Sequence, residues 1–348
     1  MLKCARHIAA IGGGGGSAQV LQAAQSFADR LTAIVAVTDT GRSTGLARAI
    51  GGIPAPGDLR ATIAAFATDP LIADLLQHRM TGAGVAQLEG MAFGNLLIAA
   101  LAQVMGDFAG AVRQVARLAG CAAEVLPVST ADTQLCAELD GGALVAGEFN
   151  VRGLDKPPIG RLFLRDDAAA YPPALDAIRG ADLVVLGPGS LFTSVLPSLL
   201  FCGVAEALHA ARGTVVYVCN STTQPGQTDG YCALDHVRRV VELAGPGAID
   251  AALINRGRPD PATVARYAAD GVFLLQPDDA EIAAIADLGV QPIVRDLTER
   301  TGEQRTLWNK QDTVRYDLAA LGAALKELLE HRSRGPNHED HEGGRGRY

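Results

Sequence analysis

Apolar and polar positions follow one repeating order along the chain. A short β-branched apolar run gives way to a loop of Gly, Ser, Thr and Pro, and then to apolar residues at helical spacing. Residues 7–11 predict a strand, 12–17 a loop and 18–28 a helix, with Val20, Leu21, Ala24, Phe27 and Ala28 on one face. Residues 31–38 form a continuous apolar run, as expected of a strand covered on both faces. Runs 183–186, 214–219 and 249–254 repeat that pattern, each followed by a polar, glycine-bearing loop. Strands alternating with helices predict an α/β fold with a doubly wound, mostly parallel Rossmann-like sheet. Residues 107–119 read as a helix, and 125–149 as short strands with a hairpin signal at Asp140-Gly141-Gly142. We therefore expect a single domain over 1–332, with 107–165 as a small inserted subdomain. Residues 318–330 predict a closing helix. The polar, charged stretch 333–348 is expected to be a disordered tail, with His338 and His341 solvated in it.

Composition narrows the function. The formal net charge is −8, and no block of Lys and Arg precedes the tail. That argues against nucleic acid or anionic lipid as a partner, so phosphate would have to be held by backbone amides and a few arginines. The six cysteines are scattered with no CxxC pair, which reads as reduced thiols packed as small hydrophobes. Apolar runs such as 96–105 are too short to span a membrane, and 7–11 is too short for a signal peptide. A cytoplasmic protein with no membrane insertion is expected; homo-oligomerisation stays open.

The loops at the strand ends carry the candidate chemistry. Gly12, Gly13, Gly14, Gly15 and Gly16, then Ser17, stand between a strand and a helix. Amides free of side chains approach a phosphate closely, and the helix N-terminus adds donors and a favourable dipole. A plain flexible turn is the alternative. Asp39 ends the second strand, where it could accept from a ribose hydroxyl, coordinate magnesium or cap the next helix. Gly187, Gly189, Ser190, Thr193 and Ser194 repeat the glycine-and-hydroxyl chemistry after a later strand. No G-x-S-x-G elbow or partner histidine supports a serine nucleophile there. His236 reads as a core or surface histidine.

Taken in order, these loops resemble one family. Gly12-Gly13-Gly14 is followed by Thr38-Asp39-Thr40-Gly41-Arg42-Ser43-Thr44-Gly45, Pro56-Gly57-Asp58-Leu59-Arg60 and Phe93-Gly94-Asn95-Leu96-Leu97. Later come Leu186-Gly187-Pro188-Gly189-Ser190-Leu191-Phe192-Thr193-Ser194 and Asn220-Ser221-Thr222-Thr223-Gln224-Pro225-Gly226. The series is similar to the gluconeogenesis factor (YvcK-type, CofD-like) family, related to 2-phospho-L-lactate transferase. The resemblance implies a Rossmann-like fold that binds a UDP-sugar, typically UDP-N-acetylglucosamine, with roles in cell shape and growth on gluconeogenic carbon. It puts the nucleotide loop on residues 12–17 and a polar rim on Asp39, Ser43, Asp58, Arg60 and Asn95. A second phosphate or sugar loop falls on 187–194, joined by Asn220, Thr223, Gln224, Asn255, Tyr267 and Arg315.

Three positions depart from the family pattern. Thr40 stands where the family carries a second adjacent aspartate, Arg42 where glycine is usual, and Met91 where histidine is common. A paired carboxylate is what would hold magnesium against a diphosphate, so its loss counts against a phospholactyl transferase acting on a deazaflavin. It counts less against a nucleotide-sugar-binding regulator, with UDP-sugar or a related nucleotide diphosphate as partner. An NAD-dependent oxidoreductase is permitted by the glycine loop, but no motif supplies its acid or base.

Overall fold

The computed structural model of the protein describes residues 5–82, 88–299 and 316–332. The strands are β1 (His7–Gly12), β2 (Arg30–Val35), β3 (Glu124–Pro127), β4 (Leu135–Leu139), β5 (Leu144–Ala146), β6 (Ile159–Leu164), β7 (Leu183–Leu186), β8 (Thr214–Val218), β9 (Ala251–Asn255) and β10 (Gln291–Arg295). The helices of the first half are α1 (Gly14–Ala24), α2 (Arg42–Gly51), α3 (Gly57–Ala65), α4 (Pro70–Gln77), α5 (Phe93–Met105), α6 (Phe108–Leu118) and α7 (Glu148–Val151). The second half adds α8 (Pro172–Gly180), α9 (Leu196–Leu199), α10 (Val204–His209), α11 (Ala233–Ala244), α12 (Pro261–Ala269), α13 (Asp279–Asp287) and α14 (Leu318–Arg332).

Seven strands form one parallel sheet in the order β10-β9-β8-β7-β1-β2-β3. Residues of β1, β7 and β9 are buried throughout, which is why their sequences are unbroken apolar runs. The doubly wound α/β architecture is therefore as the pattern predicts. Local signals set several helix starts: Asp69, Asp260 and Asp278 accept from first-turn amides of α4, α12 and α13, with Pro70 and Pro261 in the first turn.

Three boundaries differ from expectation. Helix α1 begins at Gly14 inside the glycine run and ends at Ala24. Strand β2 stops at Val35; beyond it, Val37 accepts from the Ala55 amide instead of continuing a ladder. The inserted unit is narrower than 107–165, because β3 pairs with β2 in the main sheet and α6 packs beside it. What remains is an antiparallel sheet, β5-β4-β6, with α7, which joins β5 to β6, packed on β4 and β5. Its hairpin turns at Gly141 and Gly142, both at positive φ, as the Asp140-Gly141-Gly142 signal predicts.

Arg239 of α11 fastens this unit to the main body, donating to the carbonyls of Ile159 at 3.0 Å and Gly160 at 3.1 Å. Lys156 donates to the Gly226 carbonyl in the loop after β8. The described cysteines are all free thiols, and no described helix is long and apolar enough to cross a membrane.

Candidate functional site at the sheet switch point

The sheet order reverses between β1 and β7, and the crevice of an open α/β sheet forms outside such a point. In open α/β sheets that is where ligands are taken. Two glycine turns meet there at backbone distance. A Cβ on Gly16 would fall on the carbonyl oxygen of Pro188, and one on Gly14 would lie 2.5 Å from that of Asp58. On Gly13 it would stand 2.7 Å from Ser194 Oγ and 2.9 Å from Asp58 Oδ2. Gly15, by contrast, is exposed and a Cβ there meets nothing within 4 Å.

The expected loop over 12–17 is thus largely the first turn of α1. Glycine is a poor helix former, but close packing against α3 and the β7 turn overrides the propensity. Gly13 is the N-cap and makes no side-chain cap bond, while Ser17 turns its hydroxyl back to the Gly13 carbonyl at 2.6 Å. The Gly14 amide meets the Asp58 carboxyl, and the amides that follow it in the first turn stand as donors at the positive end of the helix dipole.

The turn after β7 is built differently. Gly187 and Gly189 have φ of 72° and 159°, and a single π-helical turn, Leu191–Val195, follows. Ser190 donates to Gln227 Oε1 at 3.0 Å, which brings a residue of the β8 loop to the rim. Thr193 is buried, and Ser194 lies against Gly13.

Carboxyls gather beside the start of α1. Asp39 Oδ1 accepts from the Gly41 amide at 2.8 Å, a local turn bond and not a cap of α2, whose first-turn amides receive no side-chain cap. Burial, with the Asp39 charge beside it, raises the Asp58 carboxyl to about 6, against the pull of the Gly14 amide, Arg60 and Arg152. Glu148, from the inserted unit, is 5 % exposed. Burial raises it to about 7; Arg152 opposes the rise and Asp39 adds to it. Its Oε1 accepts from Arg152 at 3.0 Å; its Oε2 receives no donor from the protein, and the carboxyl is in hydrogen-bond contact with that of Asp39. Thr40, standing where a second aspartate was expected, accepts from the Phe149 amide at 3.1 Å and ties α7 to the β2 loop.

Glu148 was not foreseen from the sequence. The available signal was one carboxylate inside the apolar stretch Leu144-Val145-Ala146-Gly147-Glu148-Phe149. Among the described residues no three carboxylate, imidazole or thiolate groups converge closely enough to hold a metal.

Several expected rim residues are instead occupied within the frame. Arg60 crosses Gly94 and donates to the Leu76 carbonyl and the Gln77 side chain at the end of α4. Burial, with Arg79 nearby, lowers it to about 10, still charged at neutral pH. Ser43 Oγ accepts from the Ala92 amide at 2.8 Å and from Asn95 Nδ2 at 3.0 Å, and donates to Met91 Sδ at 3.3 Å. Met91 thereby completes the joint between α2 and α5.

Asn220 donates to the Gly189 carbonyl at 2.8 Å and accepts from Tyr217, supporting the second glycine turn from below. Thr223 exchanges bonds with Phe273, and Asn255 binds Ser221, Gly257, Leu297 and Thr298. Gln224 Oε1 and Asn95 Oδ1 are buried acceptors with no protein partner. Tyr267 sits in a satellite cluster with Val272 and Leu274, with Arg266 over its ring. His236 is fully buried, with Nδ1 against the Cys232 carbonyl and its ring edge-on to Tyr231. Arg315, the side chain of Arg42 and the tail 333–348 lie outside the described residues.

Comparison with known proteins gives a consistent result. Residues 8–298 match the family model described as 2-phospho-L-lactate transferase CofD. The chain is 38% identical over 284 residues to the gluconeogenesis factor of Halalkalibacterium halodurans, covering 80% of this chain and 87% of that one. It is 35% identical over 324 residues to the gluconeogenesis factor of Bacillus subtilis, covering 92% and 98%. Among solved structures, a UPF0052 family protein from Bacillus halodurans superposes with a TM-score of 0.83 at 33% identity, covering 93% of this chain and 99% of that one.

Proposed function

Because the chain belongs to the gluconeogenesis factor family and carries a CofD-type domain, we propose that it is a regulatory protein that binds a nucleotide sugar of the UDP-N-acetylglucosamine type. One observation carries this reading: the glycine-built start of α1 and the turn after β7 meet at the switch point, with Gly15 open to solvent. Those amides suit a diphosphate, and the hydroxyls of Ser190, Thr193 and Ser194 suit its sugar. On this reading the protein acts in the cytoplasm and serves cell shape and growth on gluconeogenic carbon.

Thermal unfolding tests it. A ligand at a hundred times its dissociation constant adds about 2.7 kcal/mol, enough to raise Tm by several degrees. UDP-N-acetylglucosamine should do so and be recovered unchanged after long incubation. No shift with any UDP-sugar would remove the proposed ligand.

A second reading, phospholactyl transfer to a deazaflavin, draws on the adjacent carboxyls of Asp39 and Asp58 beside the glycine turn. Two carboxylates suit a magnesium ion that takes its other oxygens from a diphosphate and water. There the metal would neutralise charge on the transferring group. A magnesium-dependent phospholactyl-deazaflavin product would establish this alternative.

A further inference from the structure

The least satisfied acid of the crevice comes from the inserted unit, outside the loops that carry the family resemblance. Glu148 is 5 % exposed, and its Oε2 has no donor in the protein. A buried carboxylate oxygen in that state costs free energy that a ligand's donor would recover. Its position is fixed from two sides: Arg152 holds Oε1 at 3.0 Å, and Thr40 holds the start of α7 through the Phe149 amide at 3.1 Å. The carboxyl faces that of Asp39, which spends Oδ1 on the Gly41 amide. With Glu148 raised to about 7 and hydrogen-bonded to Asp39, the pair shares one proton, which a ligand's donors can replace.

What replaces that proton between two carboxyls is a neutral group with two donors, and adjacent hydroxyls supply them. A phosphate is excluded by its own charge and belongs at the amides of α1. Asp39 also stands just past the end of β2, about 20 residues beyond the glycine turn, where dinucleotide-binding sheets place the acid that receives a ribose hydroxyl.

We propose that Glu148 and Asp39 together receive the 2′- and 3′-hydroxyls of the ribose of the bound nucleotide. The nucleoside then lies on the β2 side under the inserted unit. The diphosphate crosses the start of α1, and the sugar reaches the turns after β7 and β8. This rests on the nucleotide-sugar reading above, and adds to it an orientation and a residue.

Calorimetric titration of the full chain with UDP-N-acetylglucosamine and with its 2′-deoxyuridine analogue tests the assignment. The parent should prefer the ribose form by about tenfold or more, the scale of one charge-assisted hydrogen bond. Glu148→Ala should bind both forms alike, near the parent's affinity for the deoxy form. If Glu148→Ala does not fold, Glu148→Gln, which keeps shape and drops charge, should still lose most of the preference. An undiminished preference in a folded variant, or none in a parent that binds both, overturns the role of Glu148 and leaves the nucleotide-sugar reading standing. A parent that binds neither ligand removes both.

Discussion

The two turns that meet at the switch point both look glycine-rich, yet they use glycine for different physical reasons. After β1 one glycine, Gly12, is needed for its φ of 154°, but the rest of the requirement is closeness: Gly14 and Gly16 bring α1 onto the backbones of Asp58 and Pro188, where no Cβ fits. After β7 the requirement is conformational, with Gly187 and Gly189 at positive φ. A glycine run beside a strand is therefore not in itself a phosphate cradle. In the first turn most of the run serves packing, and Gly15 is the position left open to a ligand.

The sharpest way to break this distinction is Gly16→Ala. Its Cβ would drive the two turns apart, and roughly 3 kcal/mol or more of stability should be lost, at the upper end for overpacking. Denaturant unfolding reads this directly. A Gly16→Ala protein as stable as the parent would mean the turns do not touch in solution.

The turns also differ electrostatically, because acids crowd only the first. Asp58 and Glu148 are raised by the fold to about 6 and about 7, from ordinary values near 4. The folded chain holds protons there that the unfolded chain releases. Stability from these groups is therefore complete below pH about 4 and is lost as pH rises through about 6 to 7. Between those limits the loss should be roughly 3 kcal/mol or more, carried mainly by buried Glu148, with the share of partly exposed Asp58 discounted for screening. Tm measured against pH should fall over that window, and Glu148→Gln should flatten the upper part of the fall. A Tm that rises through the same window would contradict the burial of these acids.

The smallest effect has the opposite sign. Gly15→Ala adds a methyl group in open space within a helical turn and should stabilise the protein by about 0.5 kcal/mol, through reduced freedom of the unfolded chain. A destabilised Gly15→Ala would place Gly15 among the packing glycines instead.

Much of this was legible in the sequence, for identifiable reasons. Strands β1, β7, β8 and β9 are buried on both faces, so their apolar runs announce them wherever the fold carries them. The loops at their ends were locatable for the same reason. What each loop does was not, since the sequence does not say which backbone approaches Gly14 or Gly16. Arg60, Ser43 and Asn255 look like rim residues by position, but partners 16 to 52 residues away in sequence occupy them within the frame, Gly257 beside Asn255 being the near exception. Glu148 escaped notice because its meeting with Asp39 exists only once the small antiparallel sheet folds back over the β2 loop, a contact held by Thr40.

The central claim is that the ligand lies at the switch point, on the start of α1 and the turn after β7. Amide hydrogen exchange with and without UDP-N-acetylglucosamine tests it most directly. Added ligand should slow exchange at residues 13–17 and 189–194, with a smaller effect at 147–149 in the inserted unit. The instructive alternative is a cleft of about 270 Å³ at the sheet edge, lined by Arg113, Arg117, Val125 and Tyr171. Protection confined to that edge, with both glycine turns exchanging as in the free protein, would contradict the account.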